Sequence, residues 1–297
     1  MAGTVSDDPF RVVCAGHVNW DVTLQVDELP GPDGEARIAD QRQSGGGSAS
    51  NVAVALAGLD ASPLLLGSVG RDEHGWLARR ELSTAGVETA LVETDGPTTV
   101  KYLVVDEAGE VMVLGNDGAN EAYTANALSE DRLRRADHLH LTSQPPETAA
   151  TLARRASERS TTVSFDPGRR LANRDYAETV RATDLLFCNE TEASVVREDG
   201  LAENVQMLVV KQGSGGATAI EADTTVSHPG FAVDPVDTTG AGDAFAAGVL
   251  ATLDEGLERA LAVGNACGAL AARTPGARVE LGWRDIEALL DIGPSEA

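Results

Sequence analysis

The second half of the chain alternates between short apolar runs and helical stretches, and this alternation restricts the fold more than any other feature. From about residue 125, apolar runs predict strands at His138–Thr142, Thr162–Asp166, Leu185–Cys188 and Met207–Lys211. Helical segments lie between them. Strands that alternate with helices usually pair in parallel and are covered by helices on both faces. The sequence therefore predicts an α/β fold with a mostly parallel central sheet.

Elements on both sides of this region extend the pattern. Those expected before it are a strand, a helix, a strand and a helix: Arg11–Gly16, Ser48–Leu59, Leu64–Val69 and Asp72–Ala85. Those expected after it are a hairpin and two helices: Ala217–Glu221 with Thr224–His228, Gly242–Leu253 and Glu258–Arg273. We expect one domain over residues 1–297, with residues 1–9 and 293–297 as loose ends.

Two strand-rich segments, at about residues 22–44 and 98–116, lie outside this alternation. Each contains runs with the period of two that is typical of half-buried strands. We expect them to pair into a small sheet that projects from the main body. Such a sheet would be a lid over a site and a candidate surface for a homodimer.

The net charge is −24, from 47 acidic and 23 basic side chains. A field of this sign repels nucleic acid and anionic membranes, which we exclude as partners, and it also repels ATP and phosphorylated sugars. A phosphate site would therefore need its own positive potential. Only Lys101 and Lys211 are lysines. This composition resembles that of proteins from extreme halophiles, and an ordinary acidic protein is the alternative.

The cysteines indicate neither disulfides nor a zinc site. Cys14, Cys188 and Cys267 are far apart and form no CxxC pair, so we expect buried free thiols. No apolar run approaches the ~20 residues of a membrane span, and the N-terminus has no apolar signal core. We expect a cytoplasmic protein.

The strongest motif is the run Asp237-Thr-Thr-Gly-Ala-Gly-Asp243, which precedes a predicted helix. Free amides at a helix N-terminus bind anions, and the small residues Gly240, Ala241 and Gly242 would let a phosphate approach them. Asp243 could orient an acceptor hydroxyl and take its proton during phosphoryl transfer. The alternative interpretation is a tight glycine turn with Asp243 as a helix cap.

A second group of residues is suited to binding a polyol. Gly46 and Gly47 would let a polyol approach the backbone, and Asn51 offers a donor and an acceptor; a glycine-rich turn is the alternative. Asn19 and Asp21 follow the first strand, where open α/β sheets bind ligands. A carboxylate that accepts from vicinal hydroxyls suits a neutral polyol better than a phosphosugar.

Other nucleotide-binding classes are disfavoured. The chain has no GxxxxGK[ST] loop, and no GxGxxG follows the first strand.

These motifs, over about residues 11–277, resemble the signatures of the ribokinase-like (PfkB-type) carbohydrate kinases. The resemblance implies a three-layer sandwich with a small β-sheet lid, and transfer of the γ-phosphate of ATP to a sugar hydroxyl. It makes Asp243 the catalytic base and the amides of Gly240–Asp243 the anion hole. The residues that it assigns to the sugar are Asn19, Asp21, Gly46, Gly47 and Asn51.

The resemblance also implies sites for the nucleotide and for metal ions. Asn189-Glu-Thr-Glu192 is similar to the family's N-x-x-E motif, in which the asparagine and the last glutamate act on Mg²⁺ and phosphate through water. A helix-capping turn is the alternative. Asp237 and Thr239 match positions that often bind a monovalent cation such as K⁺. The remaining residues that match the nucleotide site are Lys211, Gly213, Gly216 and Asn265.

The sequence contains only weak indications of which sugar or nucleoside accepts the phosphate. Gln144 stands where ribokinases have a carboxylate, Asp166-Pro-Gly-Arg-Arg170 resembles fructokinase-like and 2-keto-3-deoxygluconate kinase-like members, and Gly118-Ala-Asn120 resembles ribokinases and nucleoside kinases. Arg170 could hold a carboxylate or carbonyl of the substrate, or it could be a surface arginine that pairs with nearby acids. We rank ribose-like or fructose-like sugars first, then 2-keto-3-deoxygluconate and nucleosides. A non-catalytic sugar or nucleotide sensor on this fold is the alternative from another class.

Overall fold

The computed structural model describes residues 9–293. Its strands, numbered along the chain, are β1 (Arg11–Ala15), β2 (Asn19–Val26), β3 (Ile38–Gly46), β4 (Ser62–Gly70), β5 (Glu88–Thr94), β6 (Thr99–Val105), β7 (Val111–Gly115), β8 (His138–Thr142), β9 (Thr162–Asp166), β10 (Leu185–Asn189), β11 (Met207–Lys211), β12 (Ala217–Glu221) and β13 (Thr224–His228). Its α-helices are α1 (Ser48–Gly58), α2 (Glu73–Thr84), α3 (Glu130–Arg134), α4 (Pro146–Ser157), α5 (Ala177–Arg181), α6 (Glu190–Glu198), α7 (Ala241–Thr252), α8 (Leu257–Ala272) and α9 (Trp283–Ile292).

Within residues 9–293, the larger sheet has the order β13-β12-β11-β10-β9-β8-β1-β4-β5. The strands from β11 to β5 pair in parallel, and the β12–β13 hairpin adds an antiparallel edge. Alternate residues of a strand point to opposite faces, so Cys14 lies in one core and Ala15 in the other. Helices α1, α2, α7, α8 and α9 cover the first core, and α3 to α6 cover the second. The expected three-layer α/β architecture is confirmed.

A separate sheet with the order β3-β2-β6-β7 forms the expected lid. β2 is its centre, pairing antiparallel with β3 and parallel with β6. Trp20, Val22 and Val100 are buried where one face of this sheet meets the main body. Asp21 and Lys101 are directly paired in register across β2 and β6.

The structure corrects one position and adds two elements. Asn19 and Asp21 lie in β2 itself, because Asn19 already pairs with Gly46 and Thr99, and not in a turn after β1. Neither β5 nor α9 was expected from the sequence. β5 is a half-exposed edge strand, and α9 buries Ile286 and Leu289.

Other expectations concern the cysteines, the chain ends and membrane spans. The three cysteines are buried and free, as expected. The predicted loose ends fall almost entirely outside the described residues. Within the described part of the chain, no helix is both long and apolar enough to cross a bilayer.

Candidate active site

The loop before α7 presents free amides at a helix N-terminus. Gly240 caps the helix at φ 77°, in the left-handed region. A Cβ on Gly240 would lie 2.1 Å from the carbonyl oxygen of Ala277, so only glycine fits. Within residues 9–293, the amides of Gly242 and Asp243 donate to no protein acceptor. These amides are available to an anion at the helix end.

The carboxylate of Asp243 lies beside these amides. Asn51 Nδ2 donates a hydrogen bond to Asp243 Oδ2 at 2.8 Å. Burial raises the pKa of Asp243 to about 6, and the hydrogen bond from Asn51 opposes this shift. A carboxylate with such a pKa is ionised at pH 7, and it is a stronger base than an ordinary aspartate.

Three side chains at the starts of β2 and α1 have unpartnered polar atoms. Asn19, Asp21 and Asn51 are at most 7% exposed. Asn19 Nδ2, Asp21 Oδ1 and Asn51 Oδ1 have no hydrogen-bond partner among the described residues. Because an unpaired buried polar group costs about 1–3 kcal/mol, such a set points to a ligand rich in hydroxyl groups.

The structure gives a reason for glycine at positions 46 and 47 that differs from the expected one. A Cβ on Gly46 would lie 2.1 Å from Asp21 Oδ2, and one on Gly47 would lie 2.4 Å from the carbonyl oxygen of His17. Gly47 also has a φ of 96°. Gly46 thus makes room for Asp21, and Gly47 makes room for the backbone at His17, whereas the expected role of both was to let a polyol approach.

Lys211 lies beside the anion-binding loop and not in solvent. Its Nζ is 2.5 Å from Asp166 Oδ2, and both side chains are largely buried. A Cβ placed on Gly242 would be 3.5 Å from this Nζ. Burial disfavours the charge of Lys211, but Asp166 outweighs that effect and raises its pKa. A permanent positive charge therefore faces the free amides.

The N-x-x-E segment forms a capping box. Asn189 Oδ1 accepts from the amide of Glu192 at 2.8 Å, and Glu192 Oε2 accepts from the amide of Asn189 at 2.9 Å. The alternative interpretation of this motif is thus present in the structure. Burial, followed by the nearby Asp166, raises the pKa of Glu192, which places Glu192 in the same charged region as Lys211.

The described residues contain no group of three or more His, Cys, Asp or Glu side chains that could hold a metal ion. A Mg²⁺ ion at this site would take most of its ligands from nucleotide phosphates and water, which suits its preference for retaining water. The carboxylates of Glu192 and Asp166 are suited to accept hydrogen bonds from the water molecules bound to such an ion.

The residues expected near the nucleotide base meet at the end of β11. Gly213 and Gly216 have φ values of 57° and 86° in the turn after this strand. A Cβ on Gly216 would lie 2.0 Å from the carbonyl oxygen of His228. Asn265, on α8, is hydrogen-bonded through Nδ2 to Nδ1 of the same histidine at 3.1 Å. The structure thus brings Gly216 and Asn265 together around His228.

Asp237 organises the loop that the family resemblance assigns to a monovalent cation. Its Oδ1 accepts from the amide of Thr239 at 2.8 Å, and its Oδ2 accepts from the amide of Gly276 at 2.9 Å. The carbonyl of Ala272 accepts from the amides of Val236 and Asp237. Each carboxylate oxygen retains a lone pair for a cation. The loops around residues 237 and 276 are therefore joined at one carboxylate.

A cleft of about 690 Å³ separates the lid from these two loops. Its lid side is formed by residues such as Thr23, Ser44 and Leu103, and its other side by 235–239 and 275–276. Clefts of this volume are the usual size for small-molecule sites.

Several residues around the sugar end were missed by the sequence analysis. Asn120 Oδ1 accepts from the amide of Val18 at 3.1 Å, and its Nδ2 donates to Asn19 Oδ1 at 2.5 Å. Asn120 was noted only as part of a G-A-N stretch. Glu121 and Lys101 were not assigned, and the rarity of lysine was the only signal for Lys101.

Arg278 is a further residue without a sequence signal. Its guanidinium is almost fully buried, with Nη1 3.1 Å from Glu81 Oε1 and Nη2 2.5 Å from Ser50 Oγ. Glu81 Oε2 in turn accepts from the amide of Gly45 at 2.7 Å. This network joins the loop after α8 to the base of the lid.

Gln144, the residue at a position of ribokinase carboxylates, is fully buried. Its Nε2 donates to the carbonyls of Ala15 and Thr142, and its Oε1 accepts from Tyr123 at 2.8 Å. Both amide protons are used within the protein, so Gln144 holds the scaffold together and has no donor left for a ligand.

Comparison with known proteins agrees with this geometry. Residues 10–283 match the model of the pfkB family carbohydrate kinases, and the chain belongs to this family. It is an ATP-dependent sugar kinase with the ribokinase fold.

Three proteins show the range of similarity. The chain is 57% identical to the ATP-dependent ribose-1-phosphate kinase of Halopiger xanaduensis over 278 residues, which are 90% of this chain and 94% of the relative. It is 30% identical to the ribokinase of Bacillus subtilis over 297 residues, which are 95% of this chain and 100% of the relative. The crystal structure of ribokinase from Thermotoga maritima has a TM-score of 0.84 at 25% identity, covering 96% of this chain and 100% of that chain.

Proposed function

We propose that this kinase transfers the γ-phosphate of ATP to a hydroxyl of ribose 1-phosphate, with Asp243 as the catalytic base. The observation that carries the proposal is the hydrogen bond between Asn51 and Asp243, which joins a pocket for hydroxyl groups to a base at an anion-binding helix end. The 57% identity to a ribose-1-phosphate kinase supports this acceptor. The proposal departs from the neutral polyol that Asp21 alone favoured.

The positions of the hydroxyls on the acceptor indicate which one reacts. Ribose 1-phosphate has a vicinal pair of hydroxyls at C2 and C3 and a primary hydroxyl at C5. Asp21 is suited to accept from the vicinal pair, with Asn19 and Asn51 as further contacts and Gly46 and Gly47 keeping the pocket compact. The primary hydroxyl is then the one left to reach Asp243, so transfer to the C5 oxygen is expected.

In the proposed reaction, the hydroxyl oxygen forms a bond to the γ-phosphorus as its proton passes to Asp243. The bond from the γ-phosphorus to the bridging oxygen breaks, which releases ADP. The amides of Gly240, Ala241, Gly242 and Asp243 form the proposed anion hole, and of these only the amide of Ala241 donates to an acceptor within residues 9–293. Together with Lys211 they stabilise the charge on the transferring group.

Two ions and a nucleotide complete the proposed site. Mg²⁺ would neutralise the nucleotide phosphates, with Asn189 and Glu192 contacting it through water. K⁺ would lie at Asp237 and Thr239 and compensate negative charge next to the anion hole. The residues proposed to flank the nucleotide base are Gly213, Gly216 and Asn265.

Further parts of the proposal concern the protein as a whole. The chain would act as a single domain in the cytoplasm of a salt-adapted cell, without nucleic acid or membrane partners, in keeping with its charge of −24. The exposed apolar side chains of Val111, Val113 and Leu114 on β7 support a homodimer formed through the lid.

A coupled assay of ADP release with ribose 1-phosphate, ribose, fructose, 2-keto-3-deoxygluconate and nucleosides, in molar KCl with Mg²⁺, tests this function. We expect the highest kcat/KM with ribose 1-phosphate, and a second phosphate ester on C5 in the ³¹P NMR spectrum of the product. A higher kcat/KM with any other acceptor, or transfer to a ring hydroxyl, would contradict the proposal.

A further inference from the structure

Lys101 is a positive charge without a direct partner at the sugar end of the site. It lies on β6, opposite Asp21 in the register of the lid sheet, and side chains paired in this way share one face. Among residues 9–293, the ammonium of Lys101 forms no hydrogen bond or ion pair. Burial lowers its pKa, Asp21 and Asp243 oppose that shift, and Arg169 and Arg170 add to it. The partly buried ammonium of Lys101 therefore lies among two carboxylates and two other cations.

Those two arginines follow β9, in the helical turn Gly168–Asn173. Arg170 Nη1 lies 2.5 Å from Glu121 Oε1, with 41% of its side chain exposed. Arg169 is exposed and has no hydrogen bond or ion pair within the described part of the chain. Neither arginine is fixed by burial, so both can turn toward a ligand.

Glu121 does not depend on Arg170. Arg174 binds it through both terminal nitrogens, at 2.9 and 3.1 Å, and His17 Nε2 lies 3.1 Å from Oε1. These contacts hold the pKa of Glu121 at about 2, with the His17 hydrogen bond as the largest cause, so it stays ionised. When Arg170 turns away, Arg174 still neutralises this carboxylate. Arg170 is thus the exchangeable member of the cluster.

These cations lie near the residues proposed to bind the sugar, and Lys101 is also close enough to Asp243 to interact with its charge. Lys211 and the free amides of α7 lie at the catalytic end, whereas Lys101 is paired with Asp21 in the lid and Glu121 directly follows the Asn120 that holds Asn19. Lys101, Arg169 and Arg170 repel one another, and a bound anion would relieve this repulsion. A neutral sugar would not do so.

We infer that Lys101 and Arg170 form a subsite for the phosphate that the acceptor already carries, with Arg169 at its edge. The inference deepens the proposed function and rests on it, because only a phosphosugar acceptor brings a second phosphate to this end. On binding, Arg170 exchanges Glu121 for the phosphate oxygens, and Lys101 contacts them from the lid. In this arrangement, Lys101 on β6 contacts the phosphate on C1, while Asp21 on β2 contacts the ring hydroxyls.

The test compares ribose 1-phosphate with ribose in Lys101→Met, Arg170→Gln and the double variant. We expect each single change to lower kcat/KM for ribose 1-phosphate at least tenfold, mainly through KM, and the double change to lower it about a hundredfold or more. The values for ribose should stay within about twofold. Calorimetric titration of ribose 1-phosphate in the absence of nucleotide should show the same loss of affinity.

Two further variants serve as controls. Arg134→Gln removes a surface cation that, among the described residues, pairs only with Asp131, and it should leave the activity with both substrates unaffected. Lys101→Arg keeps the charge and should recover part of the affinity lost in Lys101→Met. Thermal unfolding of every variant confirms that the fold is intact.

The outcomes distinguish the two proposals. A wild-type enzyme that uses ribose 1-phosphate no better than ribose would overturn the proposed acceptor. A wild-type enzyme that prefers ribose 1-phosphate, with variants that keep this preference or lose both substrates equally, would overturn the subsite alone.

Discussion

Asn51 and Asp243 are 192 positions apart in the chain, yet Asn51 Nδ2 donates to Asp243 Oδ2 at 2.8 Å. The contact joins the first turn of α1, next to the glycine-rich segment, to the first turn of α7, next to the anion-binding loop. Because the side chain that fixes the proposed base also has an unpartnered oxygen in the sugar pocket, acceptor binding and base orientation depend on one residue.

The pKa of Asp243 predicts the pH dependence of the reaction. Because this pKa is raised to about 6, kcat/KM should rise with pH below 6 and become constant above it. The same rise of kcat/KM with pH should appear with ribose, which has no titrating phosphate, in steady-state assays from pH 5 to 8.5. Asp243→Asn should lower kcat by about 10²–10⁴-fold and leave the affinity for the acceptor nearly unchanged. If kcat/KM did not rise with pH below 6 for one of the two acceptors, the assignment of Asp243 would be contradicted.

The same substitution should make the fold more stable. The raised pKa means that folded Asp243 keeps its proton between about pH 4 and 6, where the unfolded chain has lost it, so the stability of the wild type falls as pH rises through this window. Asp243→Asn removes this penalty and should increase the free energy of unfolding by about 1–3 kcal/mol above pH 6. Denaturant unfolding at pH 4 is the control, since the two proteins should differ little there. Equal stability at pH 8 would show that burial does not strain this carboxylate.

Gly240 provides a test of the anion-binding loop. Gly240→Ala places a Cβ 2.1 Å from the carbonyl of Ala277, in addition to the strain of a positive φ, so the loop must move. We expect kcat to fall at least a hundredfold. Gly86→Ala is the matched control, because Gly86 has a φ of 79° with nothing within 4 Å of the added Cβ. It should cost about 1 kcal/mol of stability and leave kcat unchanged. Similar activity in both variants would argue against a role for the loop backbone.

Salt should affect stability and activity in different ways. Screening of the −24 charge by any molar salt should stabilise the fold, because repulsion between surface carboxylates decreases. Activity should also require K⁺ if Asp237 holds a cation. At equal ionic strength, we expect similar melting temperatures in NaCl and choline chloride, and a slightly higher one in KCl because the folded protein binds K⁺. We expect the highest kcat in KCl. Equal kcat in KCl and choline chloride would exclude the K⁺ site, and Asp237→Asn should reduce the difference between these two salts.

The sequence was most informative where local patterns decide the structure. The strands Met207–Lys211, Ala217–Glu221 and Thr224–His228 have the predicted bounds, because buried apolar runs and short turns are local signals. β5 was missed because its residues are only half buried at an edge of the sheet, where the apolar pattern is weak.

The site was predictable only in part, for a physical reason. Asp243 and the glycines of its loop belong to a contiguous motif, whereas Lys101, Glu121 and Arg278 gain their surroundings from residues far away in the chain. Glu121, for example, meets His17 and Arg174, which are 104 and 53 positions away. No local pattern encodes such contacts. The requirement for glycine at position 46 could not be predicted either, because it depends on the position of the Asp21 side chain in the lid sheet.

The two lysines give the protein an unusual chemical property. Lys211 is held as a buried ammonium by Asp166, so its nitrogen is a poor nucleophile. Lys101 has a lowered pKa and no direct ion pair within residues 9–293, so its free amine is present at a lower pH. Among side chains, an acylating reagent or a fluorescent aldehyde would therefore label one position in the lid. Because an acyl label removes the charge of the proposed phosphate subsite, ribose 1-phosphate bound beforehand should protect Lys101 from the reagent.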